Sequence, residues 1–201
     1  MTHALTSQPH HESHDLQHEQ NLTTLGFWIY LMTDALLFAG LFAVFMTTPR
    51  PEHLQSLFEP KNIMLETGLL LLSSFTFGLA WLSWRSGKTF LGWLFLLMTF
   101  GCGVGFLGLE IAEFHTLILQ GHGPDTIAYW SAFFTLVGTH GLHVTIGLLW
   151  MLMWMVSTLI RKTGADATGQ HQMMLLGLFW HFLDIIWVVV VSLVYLGAFV
   201  S

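Results

Sequence analysis

The feature that most constrains this chain is the run Thr126–Ile160, which contains no Asp, Glu, Lys or Arg. A helix rises about 1.5 Å per residue and crosses a hydrocarbon core of about 30 Å in roughly 20 residues. The run is therefore long enough to span a bilayer with overhang or tilt. His140 and His143 sit near its middle, at a spacing that puts both imidazoles on one helix face.

The rest of the chain repeats the pattern. Hydrophobic residues make up 54% and charged residues only 9%, where soluble domains average about 25% charged. This is the composition of a membrane protein, and 201 residues suit one bundle of about five helices. Six Lys and Arg with no basic stripe exclude a nucleic-acid binder. Cys102 is the single cysteine, so no internal disulfide forms. The start does not read as a cleaved signal peptide, because residues 1–24 hold no Lys or Arg and the first apolar span carries Asp34.

Residues 1–22 are polar and rich in histidine (His3, His10, His11, His14, His18), with Pro9 and no apolar period. They read as a disordered cytoplasmic tail. The rival reading, metal capture by His10, His14 and His18 at helical spacing, lacks anything apolar to hold such a helix. Residues 23–201 read as an all-helical, five-span membrane domain, with spans near 25–47, 63–84, 90–119, 126–160 and 173–200. Thr48-Pro49-Arg50-Pro51, Arg85-Ser86-Gly87-Lys88, Gly121-His122-Gly123-Pro124-Asp125 and Arg161-Lys162-Thr163-Gly164 separate them. Arg85, Lys88, Arg161 and Lys162 fall on the side of the N-terminus, against Arg50 and Lys61 on the other, so the positive-inside rule predicts a cytoplasmic N-terminus and an external C-terminus. Trp28, Tyr30, Trp81, Trp84, Tyr129, Trp130 and Tyr195 lie near span ends, where interfacial anchors are expected.

Ionisable residues within spans cost about 2.5–3.5 kcal/mol each at mid-membrane on insertion scales and normally face the bundle interior with partners. Asp34 lies about 14 Å into the first span at helical rise. His181 and Asp184 share a face of the fifth. Glu66 sits near the start of the second span, and Glu110, Glu113 and His115 near the end of the third. By depth, Asp34, His181 and Asp184 belong to the cytoplasmic half and middle. Glu66, Glu110, Glu113, His115 and His143 belong to the outer half. Asp34 fits either a proton-exchanging, lipid-adjacent carboxylate or a buried acid that fixes helix packing. His181 with Asp184 fits an internal hydrogen-bonded pair or a tie between helices. Glu110 and Glu113 fit a polar cap facing a partner or headgroups better than a cation site.

A single His-x-x-His is a weak metal signal. Haem or iron needs ligands converging from facing helices. A di-iron bundle needs Glu-x-x-His on two helices, and here neither Glu110 nor Glu113 has a histidine at the third position. No nucleophile–base pair emerges, so no catalytic, metal or cofactor residues are expected in this chain. Gly101-Cys102-Gly103-Val104-Gly105-Phe106-Leu107-Gly108 lies within a span without a preceding strand, so it is no phosphate loop. Its small residues, the Gly101-x-x-x-Gly105 spacing among them, predict close approach of a neighbouring helix, as do Gly138, Gly141 and Gly147.

Six words in order carry a family resemblance: Gly26-Phe-Trp-Ile-Tyr-Leu-Met-Thr-Asp34, Leu65-Glu-Thr-Gly-Leu-Leu-Leu-Leu-Ser-Ser74, Glu110-Ile-Ala-Glu-Phe-His115, Gly123-Pro-Asp125, Ser131-Ala-Phe-Phe-Thr-Leu-Val-Gly-Thr-His-Gly-Leu-His-Val144 and Phe179-Trp-His-Phe-Leu-Asp184. With them the chain resembles subunit III of the haem–copper terminal oxidases, most of all the cytochrome bo-type ubiquinol oxidase branch, from Gly26 to Gly197. The resemblance implies a non-redox subunit of a proton-pumping oxidase in a bacterial inner membrane. The haems and copper would lie in subunit I, the main contact. Phospholipid would be held in a cleft, and the chain would support proton uptake and sustained turnover without catalysing anything alone. It also implies five of the seven helices of mitochondrial-type members. Asp34 matches the family's buried acid, a glutamate in the mitochondrial branch, and Asp34 and Glu66 become the candidates for proton uptake or lipid contact. Glu110, Glu113, His115, His140, His143, His181 and Asp184 would form a structural polar network. Two rivals stand beside this reading: a stand-alone proton or ion carrier using the buried acids and histidines, and subunit III of a cytochrome c oxidase.

Overall fold

The computed structural model describes residues 8–49, 51, 60–161 and 167–195. Five long helices follow one another: α1 (Gln8–Thr47), α2 (Pro60–Arg85), α3 (Thr89–Leu119), α4 (Ala128–Arg161) and α5 (Ala167–Val190), the last continuing into a π-helical turn, Val191–Tyr195. Each is long and apolar enough to cross a membrane. The fold is an all-helical membrane bundle. Spans were expected near 63–84, 90–119 and 126–160, and α2, α3 and α4 run Pro60–Arg85, Thr89–Leu119 and Ala128–Arg161. Arg50, Lys162 and the part of the fifth span beyond Tyr195 lie outside the described residues.

The start of the first helix differs. Helix α1 begins at Gln8, so residues 8–22 of the tail 1–22, expected to be disordered, lie in a helix. Pro9 stands in the first turn, where its missing N–H is not needed. Between Pro9 and Gly26 there is no further Pro or Gly, so no strong breaker interrupts the helix running backwards from the apolar span. His3 lies outside the described residues.

The chain divides into two compact units, Met1–Leu36 and Leu37–Ser201. The first is the N-terminal part of α1. The second holds the end of α1 and helices α2–α5, with α2 packed along α3 and α5 packed against both α2 and α4. Burial ranks α5 as its central element: 56% of its span is buried, against 28% for α3.

The turns are built by glycine. Gly87 adopts φ 73° and Gly121 φ 80°, left-handed values that cost a Cβ-bearing residue energy. After α2, the Lys88 N–H bonds the Ser83 carbonyl at 2.9 Å and the Gly87 N–H the Trp84 carbonyl at 3.1 Å. After α3, His122 bonds Leu117 at 2.9 Å and Gly121 bonds Ile118 at 3.0 Å in the same way. Both ends are Schellman motifs, which satisfy carbonyls that would otherwise be orphaned.

Glycines inside the spans seat side chains, and only some of those expected to do so. A Cβ at Gly103 would stand 2.9 Å from Leu148 and 3.0 Å from Trp180, and one at Gly147 would stand 3.1 Å from Trp180 and Phe179. The Trp180 indole thus fits notches in α3 and α4 at once. Gly101 and Gly108 have nothing within 4 Å, so the Gly101-x-x-x-Gly105 spacing does not bring a helix close to Gly101.

Trp84, Tyr129, Trp130 and Tyr195, expected as interfacial anchors, are instead core residues, all at most 7% exposed. Trp84 packs edge-on to Trp93 and Trp154, and Tyr129 edge-on to Trp130. Proximity to a span end says nothing about which way a ring faces. Trp28 and Tyr30 are exposed.

Candidate functional site

Helix α5 ties the second unit together through polar groups that each reach a neighbouring helix. Its Trp180 Nε1–H donates to Ser73 Oγ of α2 at 3.0 Å. Ser74 Oγ lies 2.6 Å from His181 Nδ1, which is 3.6 Å from Asp184 Oδ2. Further along, Trp187 Nε1–H donates to Thr67 Oγ1 at 3.2 Å. The Tyr195 hydroxyl, on the π-helical turn, donates to Glu113 Oε2 of α3 at 3.2 Å. Helices α2 and α3 join in the same manner, Thr76 Oγ1 and Thr99 Oγ1 being 2.8 Å apart. Paired small hydroxyls and ring N–H groups are how apolar helices gain specific registers where burial alone cannot choose between them.

The expected site residues fall into three groups within this unit. His181 and Asp184 sit with Ser74 between α2 and α5, Asp184 buried and His181 exposed, with its ring edge-on to Phe77 at 6.0 Å. His140 is 0% exposed. Its ring stacks on Trp187 at 5.2 Å and meets Phe106 edge-on at 5.8 Å and Phe38 at 6.5 Å. His143 shares Phe38, at 5.3 Å, and its Nδ1 lies 2.7 Å from the Thr139 carbonyl.

The third group is carboxylic. Glu66 of α2 is 1% exposed and Glu110 of α3 is 3% exposed; with half-buried Glu113 they lie within electrostatic reach of one another. Glu110 is therefore no cap facing headgroups: it turns inward onto α4, where a Cβ at Gly141 would stand 2.5 and 2.8 Å from its carboxyl oxygens. Glycine between the two histidines makes the seat for this acid. His115, expected in the same network, is exposed.

Asp34 belongs to the first unit and is 6% exposed. Leu31, Asp34, Phe38 and Phe45 are all buried and fall on one face of α1 at helical spacing. One carboxylate thus interrupts an otherwise apolar stripe.

Sequence reasoning missed Tyr195, Trp187, Thr67 and Phe38 as partners of the polar groups. Trp187 follows Asp184 by three residues and sits on the same helix face, which was the available signal. Among the described residues no group of three or more His, Cys, Asp and Glu side chains is arranged to hold a metal ion.

No protein-family model matches the chain. Among curated proteins it is 46% identical over 195 residues to the cytochrome bo(3) ubiquinol oxidase subunit 3 of Pseudomonas aeruginosa, covering 93% of this chain and 92% of that protein. It is 48% identical over 182 residues to the protein of the same name in Pseudomonas putida, covering 87% and 86%. A probable quinol oxidase subunit 3 of Staphylococcus aureus is 35% identical over 184 residues, covering 89% and 90%.

Proposed function

This chain belongs to the quinol oxidase subunit III family, and on that premise we propose that it is the non-redox accessory subunit of a proton-pumping bacterial ubiquinol oxidase. The complex oxidises ubiquinol and reduces oxygen to water, and this chain takes part in an enzymatic activity only within it. Haems and copper reside in subunit I, against which the five helices pack. The chain contributes packing, a surface for phospholipid and a buried acid, Asp34, that shapes the electrostatics of proton uptake. Its place is the inner membrane, with the N-terminus cytoplasmic and the C-terminus periplasmic, following the excess of Arg85, Lys88, Arg161 and Lys162 over Arg50 and Lys61.

The observation that carries this reading is end-to-end likeness: 46% identity across more than nine-tenths of both chains, on a five-span bundle. The inward-facing polar groups support it further, because helices that bury their acids among themselves leave apolar faces for lipid and for a neighbouring subunit. The exposed faces of α2 and α3 are rich in large apolar side chains such as Met64, Phe75, Phe90 and Ile111.

Purification from membranes through a C-terminal tag in mild detergent tests the proposal. The expected preparation is coloured, with haem absorption and larger subunits in constant ratio to this chain. A colourless five-helix protein that keeps its fold alone would contradict it and favour the carrier.

A further inference from the structure

Glu66 and Glu110 together carry four carboxyl oxygens that are buried and hydrogen-bonded to no described residue, and His140 carries two ring nitrogens in the same condition. These are six orphaned polar atoms in one interior. The Glu110 carboxyl lies on Gly141, next in the chain to His140. One turn before Glu110 on α3, Phe106 packs edge-on to the His140 ring. On the other side of that ring, Trp187 stacks on it and donates its N–H to Thr67, the neighbour of Glu66 on α2. Four helices thus bring the orphaned groups to one level.

The groups that face this interior are Glu66 from α2, Glu110 and Glu113 from α3, His140 and His143 from α4, and Tyr195 after α5. No Lys or Arg occurs in α3 or between Asn62 and Trp84. Glu113 has the Tyr195 hydroxyl; Glu66, Glu110 and His140 have nothing comparable. Burying a polar group without a partner is unfavourable, because its lost hydration is not replaced. Several such costs in one place are tolerated where internal water, which makes about three hydrogen bonds per molecule, satisfies the groups. A metal ion is a poorer fit, since the side chains are not arranged as a ligand set.

We infer that Glu66, Glu110 and His140 form an internal hydration site, a small cluster of bound water held between α2, α3, α4 and α5 and closed at one end by Tyr195 and Glu113. The glycine at 141 belongs to this site, because it sets the Glu110 carboxyl against α4. The inference does not depend on the proposed part of Asp34 in proton uptake.

A high-resolution density map of the intact, detergent-purified complex tests this without any substitution. Ordered solvent density within about 3 Å of the Glu66 and Glu110 carboxyls and of a His140 nitrogen is expected. A map of the same quality showing those side chains paired directly, a metal ion between them, or a side chain of another subunit inserted would overturn the inference. Infrared difference spectra of the complex in H₂O and D₂O give a second reading. Bands of strongly bonded internal water are expected in the wild type and are expected to change in Glu110→Gln and in His140→Phe. Bands unaltered in both variants would also overturn it. A variant that fails to assemble leaves the wild-type map to decide.

Discussion

A methyl group at Gly103 would press on Leu148 at 2.9 Å and on Trp180 at 3.0 Å, and Trp180 cannot swing away without giving up its bond to Ser73. Overpacking of a well-filled interior costs about 1–3 kcal/mol. Gly103→Ala is therefore expected to lower the unfolding midpoint of this chain within the detergent-solubilised complex, whereas Gly101→Ala, with nothing within 4 Å, is expected to leave it unchanged or slightly raised. Equal effects of the two would contradict the seating of Trp180. Asp34 supplies the other prediction at this scale. Buried at 6% exposure on an apolar stripe, it should tolerate an isosteric change, so Asp34→Asn should assemble normally but shorten the active lifetime of the complex during turnover. A lifetime equal to the wild type, followed as oxygen consumption against time, would remove Asp34 from that role.

At the scale of elements, α5 is held by packing and by polar ties to α2 and α3. Replacing Ser74 and His181 singly and together measures one tie. Hydrogen bonds between membrane helices average about 0.6 kcal/mol in double-mutant cycles, and a coupling of that order is expected from unfolding of the four proteins. Additive effects would show that the 2.6 Å contact contributes nothing. This scale also shows what could be read from the chain alone. Hydropathy and charged turns locate α2, α3 and α4, because lipid demands long apolar helices and Gly87 and Gly121 end two of them. The beginning of α1 escaped that reading because a helix can continue without an apolar period where no further Pro or Gly breaks it. The partners of the polar groups escaped as well. A helical period says which residues share a face, as for His181 and Asp184, but not which helix that face meets. Glu110 looked like an end cap from its place near the end of a span, and only the notch at Gly141 on another helix explains why it turns inward. Tyr195 and Trp130 looked like anchors for the same reason and are buried at 1% exposure.

For the whole molecule, the proposal separates support from chemistry. The described residues provide no metal ligand set, and the buried polar groups link helices of this chain to one another. On the reading proposed from its likeness to quinol oxidase subunit 3 proteins, oxygen reduction belongs to the rest of the complex and durability to this chain. The most direct test is to produce the oxidase with and without this chain and to follow oxygen consumption from the first turnovers to inactivation. The complex lacking the chain is expected to keep its haem spectrum and a similar initial rate, then to lose activity several-fold sooner. Loss of haem or of the initial rate would place this chain at the reaction itself, and an unchanged lifetime would deny it the supporting role.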